Sequence, residues 1–314
     1  MTTGVVTLGE TMGLFRAAEL GSLAHVTDFK LAIGGAESNV AIGVARLGAP
    51  STWIGRIGAD GLGDRVVREL RAESVTVVAA VDDSASTGLM VKEQRTAAAT
   101  RVTYYRSVSA GRNLSVDDIP AGLIEEAQLV HVTGITAALS DSAHAALHAA
   151  IDRARDAGVP VSFDVNHRNT LWRGRDASSE YRDIAARSNI VFAGLDEARL
   201  LVAGTDPATL AASIAALGPT QVVIKLGERG CLGLIDGETH EVAAVRITPV
   251  DTVGAGDAFV AGYLAELLAG LPARQRLETA VRTGAFACLG PGDWEGYARR
   301  DELAILESRE PVER

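Results

Sequence analysis

Short β-branched segments alternate with alanine-rich stretches along most of the 314-residue chain. We predict strands at Val5–Leu8, Ser51–Ile57, Leu129–Thr133, Val159–Asp164, Asn189–Phe192 and Gln221–Lys225. We predict helices at Asn39–Leu47, Gly63–Glu73, Ser142–Ala157, Ser179–Arg187, Asp196–Val202, Pro207–Ala216 and Asp257–Ala269. This alternation indicates an α/β three-layer sandwich, in which helices cover both faces of a mostly parallel central sheet. Ligands of such sheets collect beyond the carboxyl ends of the strands, so functional residues are expected there.

Two stretches interrupt this pattern. Phe15–Ile33 and Thr87–Arg106 alternate polar and apolar residues without a helical stripe, and Val102–Arg106 in particular is typical of a strand. We therefore expect a single domain over residues 1–314, with a small separate sheet formed by inserted segments at about 10–35 and 87–110. The alternative is a pair of surface hairpins without function. The charged residues Glu307–Arg314 are expected to fray.

Charge and composition restrict the partners and the compartment. The formal net charge is −10 and the sequence pI is about 5.2, which argues against nucleic acid or an anionic membrane as a partner. The chain is 47% hydrophobic, enough for a large core, but polar residues interrupt each long apolar tract, so no membrane span is expected. The N-terminus carries no signal-peptide pattern and the two cysteines have no metal or redox spacing, so we expect a cytoplasmic protein.

The segment Asp251–Phe259, with the sequence DTVGAGDAF, places two glycines and a carboxylate at a predicted helix start. Gly254 and Gly256 allow turns that a Cβ would forbid, and the unpaired amides of a helix start attract anions. A carboxylate among such amides, as at Asp257, is a poor phosphate ligand but a good base for a hydroxyl that attacks phosphorus. The segment therefore suggests phosphoryl transfer to an alcohol; the alternative is a tight loop that only caps a helix.

This motif resembles the C-terminal signature of the ribokinase-like (PfkB-type) carbohydrate kinases, and the resemblance extends along nearly the whole chain. Further segments of the family pattern follow in the expected order at 34–41 (GGAESNVA), 163–172 (FDVNHRNTLW), 223–230 (VIKLGERG) and 292–296 (GDWEG). The GGAE form of the first segment, Tyr104–Arg106 and the run Asp164–Trp172 are most similar to the 2-keto-3-deoxygluconate kinases of that family. The resemblance implies a ribokinase-like sandwich, a small β-sheet lid over the sugar site, and a homo-oligomer formed through the lid.

The resemblance also implies roles for individual residues. Asp257 would be the catalytic base, and the amides of Gly254, Ala255 and Gly256 would hold the transferring phosphoryl oxygens. The residues expected to bind the acceptor are Gly34, Gly35, Asn39, Met90, Tyr104, Arg106, Arg168 and Asp257. The two arginines suit an acceptor with a carboxylate, because a guanidinium fork matches the geometry of that group.

Two positions of the expected acceptor site depart from the family pattern. Leu14 stands where the family carries a sugar-binding aspartate, and Met90 stands where related enzymes often carry a tyrosine. The first departure argues against a mode of binding like that of ribokinase or fructokinase. It is compatible with a 3-deoxy acid, whose C3 has no hydroxyl to bind.

For the nucleotide, the resemblance indicates Lys225, Gly227, Gly230, Gly254, Gly256 and Gly284. Glu197 is expected to hold Mg²⁺ through water, although Gly194 replaces the family's asparagine; the alternative is an ordinary first-turn acid stabilised by the helix dipole. Asp251 and Thr252 match the family's monovalent-cation loop and are candidate ligands of K⁺. The expected cofactors are ATP and Mg²⁺, with K⁺ as a further candidate.

Together these features predict ATP-dependent phosphorylation of the primary C6 hydroxyl of 2-keto-3-deoxygluconate or a close sugar acid, with Asp257 as general base and residues 254–257 as the anion hole. Two alternatives stay open. One is a fructokinase or another neutral-sugar or nucleoside kinase of the same family. The other is a non-catalytic sugar sensor, against which the intact Asp257 and the two motif glycines argue.

Overall fold

The computed structural model describes residues 4–96 and 99–307. The strands are β1 (Val5–Leu8), β2 (Met12–Ala17), β3 (Phe29–Gly34), β4 (Ser51–Gly58), β5 (Thr76–Asp82), β6 (Leu89–Thr96), β7 (Ala99–Tyr105), β8 (Leu129–Thr133), β9 (Val161–Asp164), β10 (Ile190–Gly194), β11 (Gln221–Lys225), β12 (Cys231–Ile235) and β13 (Glu238–Val242). The α-helices are α1 (Ala36–Arg46), α2 (Gly61–Ala72), α3 (Gly134–Leu139), α4 (Asp141–Asp156), α5 (Ala177–Ala186), α6 (Leu195–Leu201), α7 (Pro207–Ala215), α8 (Ala255–Leu268) and α9 (Ala273–Ala287). Within these two ranges, every helix is too short or too polar to cross a membrane.

Nine strands form the central sheet, in the order β13-β12-β11-β10-β9-β8-β1-β4-β5. The strands from β11 to β5 pair in parallel, whereas β12 and β13 join antiparallel at one edge. Strands β1, β8 and β11 have the predicted bounds, and the other predicted strands differ by one or two residues at their ends. The structure therefore confirms the α/β sandwich with a mostly parallel sheet.

A second sheet contains four strands in the order β3-β2-β6-β7. Its β2–β6 pair is parallel and its two outer pairs are antiparallel. These strands lie at 12–34 and 89–105, so the small sheet predicted from the two interrupting stretches is confirmed. Residues 97 and 98 of the second stretch lie outside the described residues, as does the predicted frayed end from residue 308 onward.

Helix α8 holds the motif segment in place. The helix is apolar on nearly all sides and packs against α1, α9 and the central sheet. Phe192 of β10 makes edge-to-face contacts with Phe259 and Tyr263 of α8, with ring centroids 6.4 and 5.2 Å apart. The Tyr263 hydroxyl donates to Gln221 Oε1 at 2.7 Å, at the start of β11. The opposite end of α8, its N-terminus, is thereby fixed near the carboxyl end of β11.

Helix α1 begins earlier than predicted. Its first residue is Ala36 and not Asn39, so Asn39 lies at the end of the first helical turn. The reason is that Gly35, in an extended conformation, is already the N-cap. A Cβ at position 35 would stand 2.3 Å from the Glu10 carbonyl oxygen. Glycine at this position therefore allows the start of α1 to pack closely on the segment that follows β1.

Candidate active site

The N-terminus of α8 is shaped as an anion site. Gly254 precedes the helix with φ of 79°, and a Cβ there would stand 1.8 Å from the Asp293 carbonyl oxygen, so the position requires glycine. In the described chain, the amides of Gly256 and Asp257 donate to no backbone or side-chain acceptor. The Ala255 amide makes only a long bond of 3.4 Å to the Thr252 carbonyl oxygen. These amides carry the positive end of the helix dipole and are available to an anion.

Asp257 is buried beside these amides. Its two carboxylate oxygens each accept one amide hydrogen bond: Oδ2 from Asn39 Nδ2 at 2.9 Å, and Oδ1 from Asn166 Nδ2 at 3.2 Å. Burial raises the pKa of Asp257 to about 7, although the bond from Asn39 acts in the opposite direction. The two asparagines fix the orientation of the carboxylate and leave lone pairs on both oxygens for a further partner.

A cavity between the small sheet and the start of α8 collects most of the residues predicted to bind the acceptor. Its lining includes Gly35, Asn39, Met90, Tyr104, Arg106 and Arg168, together with Asp257. Gly34 lies behind this wall, where a Cβ would meet Met90 Cε at 2.3 Å and Asp293 Oδ2 at 2.5 Å. Met90 packs with Met12 and Leu14 in a small apolar cluster, so it contributes shape and not a polar contact.

The acceptor cavity also contains Glu10, which the sequence reasoning missed. Glu10 follows β1 at its carboxyl end and is buried. Its carboxylate contacts the guanidinium of Arg106 and accepts a hydrogen bond from the Ser109 hydroxyl. The position after a parallel strand was the available signal. Leu14, where the family's acid was expected, is buried in β2 outside the cavity.

Arg106, which lines the cavity as expected, is paired with Glu10. This guanidinium already has a carboxylate partner, and its plane lies over the Tyr104 ring at 5.7 Å from the centroid. Arg168 differs, because it is exposed, donates to the His167 carbonyl oxygen at 3.3 Å, and forms no ion pair within residues 4–96 and 99–307. Arg168 is therefore the cavity's available partner for an acceptor carboxylate.

On the other side of Asp257, an ion pair joins the ends of two central strands. Lys225 Nζ of β11 lies 2.7 and 2.9 Å from the two carboxylate oxygens of Asp164 of β9. Burial raises the pKa of Asp164 to about 6; burial alone would lower the pKa of Lys225, but the charges of Asp164 and Glu197 raise it. A Cβ on Gly256 would stand 3.8 Å from Lys225 Nζ, so the ammonium faces the open amides of α8.

Glu197 caps the first turn of α6. Its Oε2 accepts from the Gly194 amide at 2.6 Å and its Oε1 from the His167 amide at 2.9 Å. Burial opposes its ionisation, but the Lys225 charge and these two bonds lower the pKa. This geometry matches the alternative of a first-turn acid. It also leaves about half of the carboxylate lone pairs open, so Glu197 still fits Mg²⁺ held through water.

The predicted nucleotide glycines serve different purposes. Gly227 has φ of 58° and open space at its Cβ position, as expected for a loop that approaches a ligand. Gly230 has φ of 94°, and a Cβ would stand 2.0 Å from the Val242 carbonyl oxygen, so it is needed for the turn into β12. A Cβ on Gly284 of α9 would stand 3.2 Å from the Ala255 carbonyl oxygen, so this glycine allows α9 to pack closely on the anion site.

Of the two candidate potassium ligands, Asp251 is already engaged. Lys92 Nζ of the small sheet lies 2.6 Å from Asp251 Oδ2, and Asp251 Oδ1 accepts from the Val253 amide at 3.2 Å. Thr252 is exposed. Since a lysine ammonium occupies the carboxylate expected to hold K⁺, the residues present do not fit a potassium ion on Asp251.

A second cluster of ligand-type side chains lies away from this site. His144 Nε2, His148 Nε2 and Glu180 Oε1 are 2.7–3.1 Å from one another. Arg187 contacts Nδ1 of His148, and an arginine can only donate, so Nδ1 must be the accepting nitrogen. The ring proton of neutral His148 is therefore on Nε2, which donates to Glu180. A protonated Nε2 cannot ligate a metal, so these contacts make a hydrogen-bonded link between α4 and α5.

Comparison with known proteins decides the family. The sequence matches the model of the pfkB family carbohydrate kinase over residues 2–297. The chain belongs to the pfkB family of carbohydrate kinases. It is 35% identical to a 2-dehydro-3-deoxygluconokinase of Bacillus subtilis (strain 168), covering 98% of this chain and 96% of that relative. It is 32% identical to a 2-dehydro-3-deoxygalactonokinase of Haloferax volcanii, covering 93% of each chain.

Solved structures agree with this membership. A PfkB protein from Polaromonas sp. JS666 is 34% identical with a TM-score of 0.87, covering 96% of this kinase and 99% of that chain. A fructokinase from Vibrio cholerae O395, in a fructose-, ADP- and potassium-bound form, is 25% identical with a TM-score of 0.85. The match covers 97% of this kinase and 98% of that chain. A putative ribokinase II from E. coli in complex with ATP and Mg²⁺ has a TM-score of 0.90 at 23% identity, covering 98% and 100%, and shows the shared ribokinase-like fold.

Proposed function

We propose that this pfkB kinase transfers the γ-phosphoryl group of ATP to the primary C6 hydroxyl of 2-keto-3-deoxygluconate (2-dehydro-3-deoxygluconate) or a close sugar acid. The observation that carries the proposal is the placement of Arg168 and Asp257 in one cavity: among the residues that the structure describes, Arg168 is a charge without an ion pair, and Asp257 is a buried carboxylate. A sugar acid offers a carboxylate to the guanidinium and a hydroxyl to the base. The names of the two kinases from Bacillus subtilis and Haloferax volcanii support the same class of acceptor.

Asp257 acts as the general base. One of its oxygens takes the proton of the C6 hydroxyl while the hydroxyl oxygen forms a bond to the γ-phosphorus and the bond from that phosphorus to the departing ADP oxygen breaks. Asn39 and Asn166 hold the carboxylate in place by donating to its two oxygens. Because the pKa of Asp257 is raised to about 7, the carboxylate is a stronger base than an exposed aspartate and is ionised in a large fraction of molecules at neutral pH.

The anion hole supplies the electrostatic stabilisation of the phosphoryl transfer. The amides of Gly256 and Asp257 have no backbone acceptor among the described residues, that of Ala255 has only a long bond, and Lys225 Nζ lies 3.8 Å from the Cβ position of Gly256. They stabilise charge on the transferring phosphoryl oxygens, and Lys225 adds a buried positive charge on the same side. Gly256 leaves room for the close approach of a phosphate group to this backbone, because the nearest atom to its Cβ position is Lys225 Nζ at 3.8 Å.

Mg²⁺ would be held beside this site through Glu197, whose carboxylate lies in the first turn of α6, after strand β10. Bound with ATP, the ion would neutralise charge on the phosphate oxygens. The chain's own contribution is to keep Glu197 ionised: Lys225 and the amides of Gly194 and His167 lower its pKa. The nucleotide itself is proposed to lie along Gly227 and Lys225.

The small sheet is proposed to act as a lid. It contributes Met12, Met90 and Tyr104 to the cavity wall, and Arg106 directly follows its strand β7. Its apolar side chains Phe29 and Tyr105 are exposed, the latter by 60%, and we propose that a second subunit covers them in a homo-oligomer. Light scattering of the purified protein measures its molar mass and so tests the homo-oligomer; the mass of a monomer at working concentration would contradict it.

We place the enzyme in the cytoplasm, in agreement with its sequence features.

The test of the function is ADP release across a panel that contains 2-keto-3-deoxygluconate, its C4 epimer, fructose and a nucleoside, each with and without Mg²⁺. We expect turnover with the acids only, and only with Mg²⁺. The fructose-bound neighbour makes fructokinase the second candidate. Equal kcat/KM for fructose would select that candidate, and absence of ADP release with every member would favour the non-catalytic sensor.

A further inference from the structure

Lys92 is a buried lysine that the proposed reaction does not use. It lies in β6 of the small sheet and is only 3% exposed. Its ammonium lies 2.6 Å from Asp251 Oδ2 and 3.4 Å from Asp293 Oδ1, and it donates to the Gly292 carbonyl oxygen at 3.4 Å. The three N–H donors of a lysine thus meet two carboxylates and one carbonyl, all buried or nearly buried. Burying an ammonium is costly unless it is paired in this way, which indicates a specific site.

Both carboxylates belong to segments that frame the anion hole. Asp251 accepts the Val253 amide through Oδ1 at 3.2 Å and the Gly292 amide through Oδ2 at 3.3 Å, so it clamps the residues that lead into α8. The carbonyl oxygen of Asp293 lies against Gly254, where a Cβ would come within 1.8 Å. The position of Gly254 therefore depends on both segments, and the Lys92 ammonium is the charge that holds them together.

We propose that Lys92 is a built-in cation: its ammonium takes the place that a monovalent metal ion would have between Asp251 and the 292–293 turn, and it orders the anion-hole loop. This inference rests on the proposed phosphoryl transfer at that loop. A lysine ammonium is a compact point charge with donors in several directions, so it can replace an ion coordinated by oxygen atoms. Since Lys92 comes from the small sheet, the ordering of the loop is also tied to the position of that sheet.

The inference makes a first prediction for the unaltered protein. Turnover in tetramethylammonium chloride, whose cation is too large for the site, should stay within about twofold of turnover in KCl at equal ionic strength. Activation by K⁺ well beyond that range would overturn the inference. This measurement does not depend on whether any variant folds.

The second prediction is chemical rescue. Lys92→Ala removes the ammonium and leaves its oxygen ligands with space for an ion, so turnover should fall at least ~10-fold in tetramethylammonium chloride and recover most of the loss in KCl or ammonium chloride. The loss should be mainly in kcat, because Lys92 does not line the acceptor cavity. Lys92→Met removes the charge but fills the space that an ion would need. This variant should therefore lose activity, and neither KCl nor ammonium chloride should restore it. Lys30→Ala, which alters an exposed lysine of the same sheet, should match the wild type in both salts.

Thermal stability gives a readout that does not require the substrate. KCl should raise the melting temperature of Lys92→Ala relative to tetramethylammonium chloride, and should leave the wild type and Lys92→Met unchanged. Full activity of Lys92→Ala without a small cation, or a loss that no cation restores in activity or melting temperature, would contradict the built-in cation. If the wild type fails to phosphorylate every acid of the panel, the proposed function fails, while the melting experiment still decides the role of Lys92.

Discussion

Replacing Asp257 with asparagine should change how the stability of the folded protein depends on pH. Burial raises the pKa of Asp257 from 3.8 to about 7. Between these two values the folded protein keeps a proton that the unfolded chain has released, so the free energy of unfolding falls as pH rises and levels off above the folded-state pKa. At about 1.4 kcal/mol per pKa unit, the wild type loses about 2–3 kcal/mol between pH 5 and pH 8 that the variant does not lose.

The same variant also carries a cost that does not depend on pH. Asn39 and Asn166 both donate to Asp257, and an asparagine there has a single acceptor oxygen for the two donors. One buried amide loses its partner, which costs about 1–3 kcal/mol at every pH. The informative quantity is therefore how the difference in unfolding free energy between variant and wild type changes with pH. The difference at a single pH is not sufficient, because it contains the constant cost.

Urea unfolding of both proteins at intervals from about pH 5 to pH 8 measures that quantity. From pH 5 to pH 8, the unfolding free energy of the variant should rise by about 2–3 kcal/mol relative to that of the wild type. Asp196→Asn is a matched control, because the side chain of Asp196 is 96% exposed and the same substitution there should give a difference that does not vary with pH. If the Asp257→Asn difference is also constant, Asp257 titrates in its ordinary range and the reasoning about its burial is refuted.

Three further variants test other parts of the site. Gly254→Ala should lower turnover at least ~10-fold and lower the melting temperature, because φ is 79° and the new Cβ would meet the Asp293 carbonyl oxygen at 1.8 Å; unchanged kinetics would mean that the loop accommodates a side chain. Arg168→Ala should raise KM for the sugar acid at least ~10-fold, the scale of one lost charge-assisted bond, and an unaltered KM in steady-state assays would remove Arg168 from carboxylate binding. Glu197→Gln should raise the Mg²⁺ concentration for half-maximal rate by about 3–10-fold in a titration, whereas an unchanged requirement would assign Glu197 to helix capping alone.

The central sheet was predictable because each parallel strand and its crossover helix carry a local signal. Two of the missed elements have weak local signals: α3 is six residues long and fully buried, so no apolar stripe distinguishes it, and β5 lies at a sheet edge with intermediate burial. Helix α9, with 15 residues, was missed as well. The hairpin of β12 and β13 was recognisable in principle. Its turn consists of Asp236 and Gly237 with φ of 51° and 89°, and Asp-Gly is a dipeptide strongly preferred in two-residue hairpin turns.

The site was predictable where one short segment carries the chemistry and not where distant segments meet. Gly254, Gly256 and Asp257 were placed by their own motif, and the structure puts them at a helix N-terminus as expected. Glu10 and Lys92 were missed because their partners, Arg106 and Asp251, lie far away in the chain. A lysine in an alternating strand is ordinarily assigned to solvent, and only the packing of the small sheet on the main domain turns Lys92 inward.

The measurement closest to the central claim is a single-turnover experiment with Asp257→Asn. Rapid-quench detection of phosphoryl transfer from radiolabelled ATP to 2-keto-3-deoxygluconate, with both substrates saturating, isolates the chemical step from binding and product release. If Asp257 takes the hydroxyl proton, the transfer rate should fall at least ~10²-fold while the affinity for ATP stays near that of the wild type. Transfer at the wild-type rate would show that the base lies elsewhere.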